Sequence, residues 1–273
     1  MFKINVIDSL KENESSYSKG INQFFDLTQQ EFTKMYLNFY YDAFAAANFN
    51  PYHMKVSNGA PEAFDWRDKK AVAPVVDPLS YSTSAVSVTL DNLQSLYYIN
   101  KGKLVIFSEQ MIIDCVSNIR MISYIFSWLK ENGIESDIDY PYKNYKGTCK
   151  ADPSKYVDMI ITGLKKLSSP ADEEEMKEFL YETSPLIVGL NATPLRTYSG
   201  GIIDITSSEC PSSGINHLAF LVGYGHDDES GKDYWIVKNS WGPSWGEKGY
   251  FRIKRGSGTC GINTHVMTAT VSF

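Results

Sequence analysis

The spacing of hydrophobic residues changes along the chain from a helical period to strand-like runs. Apolar residues recur at spacings of three and four after Thr83 and stop at Gly102, which predicts a long buried helix. Shorter helices are predicted from about Ile122 to Glu131 and near Glu173 to Tyr181. Strand-like runs follow at 185–190, 217–224, 233–238 and 249–254. Helices first and strands afterwards predict an α+β fold with a helical half and a sheet half.

The segment before residue 60 has a different pattern. Apolar residues four apart predict a helix over residues 2–13, and a polar break follows it. Thr28 and Glu31 then stand at capping-box spacing, which predicts the start of a second helix. Residues 47–61 carry Asn, Pro, Ser and Gly without periodicity and are interpreted as a linker.

Composition and charge exclude several classes of protein. The 273 residues are 43% hydrophobic, which is ample for a sizeable core and argues against disorder. The formal net charge is −6 and no block of Lys or Arg occurs, so no nucleic-acid partner is expected. The sequence contains no run of 18 apolar residues, so no membrane span is predicted. The four histidines lie in separate segments and no Cys-x-x-Cys motif occurs, so neither a metal site nor a cofactor is expected.

Several segments, taken together, resemble the papain family of cysteine proteases, and its cathepsin L-like branch most closely. Residues 216–225 resemble the strand that carries the family's catalytic histidine, and residues 233–242 resemble the strand with the asparagine that orients it. Ser108-Glu109-Gln110 before Asp114-Cys115, and Tyr140-Pro141-Tyr142 before Cys149, are further landmarks. Phe2, Asn5, Asn13 and the run Gly20-x-Asn22-x-Phe24-x-Asp26 resemble motifs of the family's inhibitory propeptide.

The resemblance implies a papain-like two-lobed fold of the α+β class, with a helical left lobe and a β-barrel-like right lobe. It also implies that a truncated helical propeptide and its linker occupy residues 1–58 and that the peptidase domain occupies residues 59–273. Within that domain we expect the left lobe at about 70–165. We expect the right lobe at about 166–273, together with a strand at 59–69.

The same resemblance assigns the catalytic positions, and the nucleophile is changed. His217 stands at the catalytic histidine and Asn239 at the orienting asparagine, whereas Ser84 occupies the position of the nucleophilic cysteine. His217 and Asn239 follow Ser84 by 133 and 155 residues. The first spacing lies in the family's window of roughly 130–150 residues and the second just beyond it. The family's oxyanion-hole glutamine, six residues before the nucleophile, is Pro78.

These exchanges weaken the family's chemistry in two ways. A cysteine thiol forms a stored thiolate next to an imidazolium and a helix N-terminus, whereas a serine hydroxyl is a far weaker acid. Pro78 offers neither a side-chain donor nor a backbone N–H. Loss of one oxyanion donor typically costs about 10²–10³ in rate. The sequence therefore predicts inefficient peptide hydrolysis.

The substrate cleft is also expected to differ. By alignment, Ile119 and Arg120 replace a Gly-Gly wall that lets a peptide backbone approach closely, while Asn216 and Trp241 are expected to line the cleft. The alternative is that a shortened loop is re-routed and the cleft stays open. Taken singly, His217 and Trp241 also fit ordinary core positions.

The cysteine count agrees with an altered site. The resemblance implies the bridges Cys115–Cys149 and Cys210–Cys260, which close loops of about 35 and 50 residues and contribute on the order of 4 kcal/mol each. A third family bridge would fall at Tyr81 and near Ser117, so both of its halves are missing.

The leading hypothesis is a monomeric pseudoprotease whose cleft binds peptides, protease inhibitors or protein partners. One alternative is a hydrolase or condensing enzyme that uses Ser84 and His217, as the serine-bearing silicateins suggest. Others are residual endopeptidase activity and an active protease misrepresented by sequence errors. Two disulfides and a propeptide imply a lysosomal or secreted protein. Because residues 1–5 lack a signal-peptide pattern, we expect the sequence to be incomplete at its N-terminus.

Overall fold

The computed structural model describes residues 16–37, 59–78 and 82–273. The predicted helix over residues 2–13, most of the predicted linker and Tyr81 lie outside the described residues. The helices are α1 (Gln29–Tyr36), α2 (Ser84–Lys101), α3 (Glu109–Cys115), α4 (Ile122–Asn132) and α5 (Glu173–Glu182). The strands are β1 (Tyr17–Lys19), β2 (Phe64–Asp65), β3 (Ile160–Lys166), β4 (Leu186–Leu190), β5 (Tyr198–Ile203), β6 (His217–Asp227), β7 (Lys232–Lys238), β8 (Tyr250–Lys254) and β9 (His265–Ser272).

The helix boundaries follow from local capping chemistry. Thr28 and Glu31 form the predicted capping box at the start of α1. The hydroxyl of Thr83 accepts a hydrogen bond from the backbone N–H of Val86, which starts α2. Gly102 ends α2 in the left-handed conformation that glycine adopts without strain.

The strands form one open sheet around the long central strand β6. Their order is β1-β5-β8-β7-β6-β4-β9-β3, and β2 pairs with β6 outside this path. All pairs are antiparallel except β5 with β8. Over the ranges that the structure describes, the path does not close on itself, so the sheet differs from the barrel-like arrangement that the resemblance implies.

Both faces of β6 are buried because an apolar core lies on each side of the sheet. Leu218, Phe220 and Val222 pack into the helical core with residues of α2 and α4. Ala219 and Leu221 face the second core, which contains three tryptophans. Alternate side chains of a strand point to opposite faces, so an almost continuous apolar run is needed here.

The N-terminal leader, residues 16–37, packs on the second core. β1 adds an antiparallel edge strand to β5. Phe24, Phe32 and Leu37 are buried in the same cluster as residues of β4, β6 and β7. The described part of the leader is therefore integrated into the folded body.

Candidate active site

The central geometry of the site is a buried histidine–asparagine pair. His217 begins β6 and is paired in register with Leu190 of β4. Its Nε2 lies 2.8 Å from Oδ1 of Asn239, which follows the last residue of β7. Oδ1 also accepts the backbone N–H of Ser240 at 2.8 Å. Because this amide oxygen is an acceptor, the arrangement assigns the proton of the neutral imidazole to Nε2.

The second ring nitrogen of His217 finds no partner among the residues that the structure describes. Within those ranges Nδ1 is buried without a hydrogen bond, and so is Nδ2 of Asn239. No hydrogen bond therefore joins Ser84 to His217. Burial lowers the pKa of His217 to about 4, and the hydrogen bond with Asn239 opposes this shift. The imidazole is therefore neutral at pH 7, with an acceptor lone pair on Nδ1.

Trp241 shields the pair from water. Its ring centroid lies 4.8 Å from that of His217, and the indole is buried. Trp245 packs edge-on against Trp241 at 4.9 Å. This aromatic wall excludes water from the imidazole, which accounts for the direction of its pKa shift.

Ser84 is the first residue of α2 and is half-buried. Thr83, directly before it, donates a hydrogen bond from its hydroxyl to the carbonyl of Ile119 at 2.6 Å. This contact brings the proposed cleft wall next to the start of α2. Arg120 follows on the wall and is exposed.

Pro78 lies against the loop that carries Trp241. Its Cδ is 3.0 Å from the point where a Cβ on Gly242 would stand, and Oδ1 of Asp77 is 3.3 Å from the same point. Gly242 has a φ of +90°. A side chain at this position would meet both strain and the proline ring, which explains the glycine. Pro78 therefore lies next to Gly242, the residue after Trp241.

Asn216 lies beside the site, but its amide group forms hydrogen bonds with other residues of this protein. Nδ2 donates to Asn191 Oδ1 at 3.3 Å and to Thr193 Oγ1 at 3.1 Å, and Oδ1 accepts the N–H of Ala192 at 2.9 Å. Both amide protons are thereby engaged, so Asn216 positions the neighbouring segment.

The chain has no free thiol. The structure contains the bonds Cys115–Cys149 and Cys210–Cys260, which use all four cysteines of the sequence. A thiolate mechanism would require a cysteine outside these bonds.

The leader contacts the aromatic wall from outside. The rings of Phe24 and Phe32 pack edge-on against Trp241, with centroids 5.4 and 5.3 Å away. Gln23 donates from Nε2 to the carbonyl of Trp241 at 2.6 Å. The residue that shields His217 is therefore itself covered by residues 23–32.

A polar cluster behind the site was missed by the sequence reasoning. Lys238, which precedes Asn239, pairs with Asp91 at 2.6 Å. Glu109 accepts a hydrogen bond from the hydroxyl of Ser82. Ser108-Glu109-Gln110 was a visible landmark, but no motif connects these acids to Lys238 or Ser82.

In the part of the chain that the structure describes, no group of three or more His, Cys, Asp or Glu side chains is placed to hold a metal ion. No helix among those residues is long and apolar enough to cross a membrane.

Comparison with known proteins gives consistent matches. The family model described as papain family cysteine protease matches residues 60–270. A cathepsin L-like proteinase of Phaedon cochleariae is 33% identical and covers 92% of this chain and 78% of its own length. The digestive procathepsin L2 proteinase of Tenebrio molitor larval midgut superposes with a TM-score of 0.87 at 30% identity, covering 97% of this chain and 90% of that one. Bromelain from Ananas comosus, in complex with the inhibitor E64, superposes with a TM-score of 0.68 at 33% identity, covering 77% and 99%.

Proposed function

Because the chain belongs to the papain family of cysteine proteases and has that family's α+β fold, we propose that it is a noncatalytic member whose cleft binds peptide-like ligands. The observation that carries this proposal is the absence of a thiol: Ser84 stands where the family has its nucleophile, and every cysteine is in a disulfide. A serine hydroxyl stores no thiolate, so the ion pair on which papain-type hydrolysis depends does not form.

The surroundings of Ser84 support the same conclusion. His217 makes no hydrogen bond with Ser84, and a pKa lowered to about 4 makes its imidazole a weak base, so the hydroxyl is not activated by the imidazole. Pro78 stands beside the Trp241 loop without a hydrogen-bond donor for an oxyanion. The serine-hydrolase alternative would need both an imidazole that activates Ser84 and a hydrogen-bond donor for the oxyanion.

Peptide-like ligands are supported by the family's inhibitor complex and by the local geometry. Bromelain from Ananas comosus forms a complex with the inhibitor E64. In this chain the carbonyl of Ile119 fixes one side of the site, and Arg120 is exposed beside it. We infer that the cleft binds such ligands reversibly and that the protein acts as a monomeric receptor for peptides or protease inhibitors.

The first test measures peptide hydrolysis and covalent labelling of the full chain. Incubation with a fluorogenic peptide should give no hydrolysis above that of the Ser84→Ala variant. Incubation with E64 should give no covalent mass increase, whereas bromelain provides the positive control. Hydrolysis that Ser84→Ala abolishes would contradict the proposal.

Reversible binding of E64 is then measured by calorimetry. Arg120→Ala should change the affinity, whereas the exposed Lys103→Ala, on a different segment, should leave it unchanged. Absence of any heat of binding at millimolar E64 would contradict the binding role.

We also propose a boundary between leader and body near residues 58 and 59, and an oxidising location, lysosomal or extracellular. The two disulfides support such a location because reducing compartments do not maintain them. Immunolocalisation of the tagged full-length protein tests it, and a cytosolic distribution would contradict it.

A further inference from the structure

A cavity open to solvent lies at the opposite end of α2 from Ser84. Its volume is about 640 Å³, within the range of roughly 300–1,000 Å³ that is usual for small-molecule sites. The described residues that line it are Phe64, Trp66, Lys69, Tyr98, Ile99, Gly102, Tyr181 and Glu182. Ser84 begins α2 and Gly102 follows its last residue, so the 18 residues of the helix separate the cavity from the candidate active site by roughly 27 Å.

Aromatic side chains form several walls of this cavity. The ring of Phe64 stands edge-on to those of Trp66 and Tyr181, with centroids 5.2 Å away in both pairs and interplanar angles of 89° and 90°. The indole N–H of Trp66 donates to the carbonyl of Leu180 at 2.8 Å, which fixes this ring against the end of α5. Tyr98 lines the cavity from the last turn of α2. Rings at right angles present their faces in different directions, as they do where aromatic side chains enclose a cation.

Two helices end at the same cavity and give it a negative potential. Gly102 caps the end of α2, and α5 ends at Glu182. The C-terminal end of a helix carries about half a negative elementary charge. α5 has no basic residue in its last turn and places the carboxyl group of Glu182 there, where the helix dipole disfavours an acid. A Cβ on Gly102 would meet no atom within 4 Å, so the end of α2 is accessible from the cavity.

The cations of the described residues do not cover these aromatic rings. Within those ranges no Lys or Arg side chain lies over any of the four rings that line the cavity. Lys101, in the last turn of α2, instead lies 4.9 Å from the ring centroid of Phe273 and pairs with Asp158 at 2.8 Å. Lys69 is the one cation among the described lining residues, and it is exposed. The rings and the two helix ends are therefore not matched by a positive charge of the described chain.

We propose that this cavity binds a small, free quaternary ammonium compound. Such a cation has no N–H group to satisfy, so it can lie against aromatic faces without the loss of hydrogen bonds that a primary ammonium group would suffer. Glu182 and the two helix ends favour its positive charge and disfavour an anion. Because the cavity is separate from the cleft, its occupancy does not depend on the proposed function.

Titration of the full chain with choline, followed by NMR of the indole N–H of Trp66, tests this directly. The signal is assigned by its loss in Trp66→Phe, and choline should shift it in a saturable way. The uncharged alcohol 3,3-dimethylbutanol has nearly the same shape and should bind about tenfold more weakly, because only a cation gains from the ring faces and the negative potential. Absence of a saturable shift at tens of millimolar choline, or equal affinity for choline and the alcohol, would overturn the proposal.

Variants of the lining residues locate the bound cation. Tyr181→Ala removes a partly exposed ring and should weaken choline binding about threefold, whereas Tyr124→Ala, a comparably exposed ring on α4, is the matched control and should leave it unchanged. Glu182→Gln should weaken binding, and Lys69→Gln should strengthen it, because they remove a negative and a positive charge from the lining. The opposite pair of signs would show that the cavity prefers an anion and would contradict the proposal.

Vesicles of phosphatidylcholine distinguish a free ligand from a lipid headgroup, which carries the same cation. The volume of the cavity suits a free small molecule, so the chain should not sediment with these vesicles. Sedimentation that Tyr181→Ala abolishes would assign the cavity to a membrane surface and would contradict a free ligand.

Discussion

Among the single side chains, His217 illustrates what the proposed absence of a thiolate would mean for a neighbouring residue. In a thiolate site the negative sulfur stabilises a charged imidazolium, which offsets the cost of burying it. Here the ring is buried against Trp241, and no described residue forms a hydrogen bond with Nδ1. Burial then outweighs the hydrogen bond with Asn239, and the imidazole is neutral at pH 7. If Ser84 stands at the nucleophile position, as we propose, the site also lacks the negative charge that would favour an imidazolium.

The first prediction concerns the titration of His217. The C2 proton of its ring, followed by NMR, should titrate near pH 4. Asn239→Ala should lower this pKa further, because the hydrogen bond with Asn239 favours the charged form. His226, whose pKa is raised by Asp233, serves as the internal control and should not move. A midpoint near 6.5 in the wild type would show that the ring is not buried as described.

The second prediction concerns the restoration of activity. Ser84→Cys alone should restore little peptidase activity, because Pro78 still supplies no oxyanion donor. Ser84→Cys combined with Pro78→Gln should exceed the single variant by about 10²–10³ in kcat/KM, the usual value of one such donor. The measurement is hydrolysis of a fluorogenic peptide at equal folded concentration. Recovery of ordinary family activity by Ser84→Cys alone would refute it.

The histidine and asparagine positions were predictable because each lies in a long, specific motif. The contacts of Glu109 with Ser82 and of Lys238 with Asp91 were not predictable, since neither pair lies within one motif. Burial of a polar residue depends on how distant elements pack, and no local pattern in one sequence records it. Asn216 illustrates the limit, because we expected it to line the cleft, whereas the contacts of its amide with residues 191–193 had no signal in the sequence.

Helices and strands whose boundaries depend on residues close in the sequence could be predicted, whereas those that depend on distant residues could not. The start of α1, both ends of α2 and the span of α5 were predictable from capping residues and apolar spacing. β1 lies in a segment that we interpreted as a polar break. It becomes a strand only because β5, about 180 residues later, offers an edge with which it pairs.

The third prediction concerns the leader as an element of the core. Phe32 is fully buried between Phe24 and Trp241. Phe32→Ala should destabilise the docked leader by about 3–5 kcal/mol, the usual cost of such a core truncation. Limited proteolysis should then cleave the leader faster, and tryptophan fluorescence should shift to the red as Trp241 meets water. Gln30→Ala, on the exposed side of α1, is the matched control and should leave both signals unchanged.

The folded chain is organised by two apolar cores on opposite faces of one sheet, and each disulfide belongs to one of them. Cys115 packs against the helical core, whereas Cys210 and Cys260 are buried in the core that also holds the leader. The bonds span 34 and 50 residues, and each contributes on the order of 4 kcal/mol in the chain-entropy model. Each core is thus stabilised by its own covalent link.

The fourth prediction concerns the stability of the folded chain as a function of pH. Burial lowers the pKa of His217 and His265 to about 4, so their contribution to stability is present above 6.5 and is lost as the pH falls towards 4. Glu109 has the opposite sign. Its pKa is raised from 4.5 to about 7, so its contribution is present below 4.5 and is lost as the pH rises through 7. Between 4.5 and 6.5 the two effects oppose each other.

The variant Glu109→Gln separates the contribution of Glu109 from that of the two histidines, because it removes only the titration of Glu109. Denaturant unfolding of this variant should show a steeper rise of stability between pH 4.5 and 6.5 than the wild type. It should also lack the decline that Glu109 causes between 6.5 and 7.5. The difference between the two curves isolates Glu109 because the other titrating groups are common to both. Parallel curves over the whole range would show that Glu109 titrates as an exposed acid.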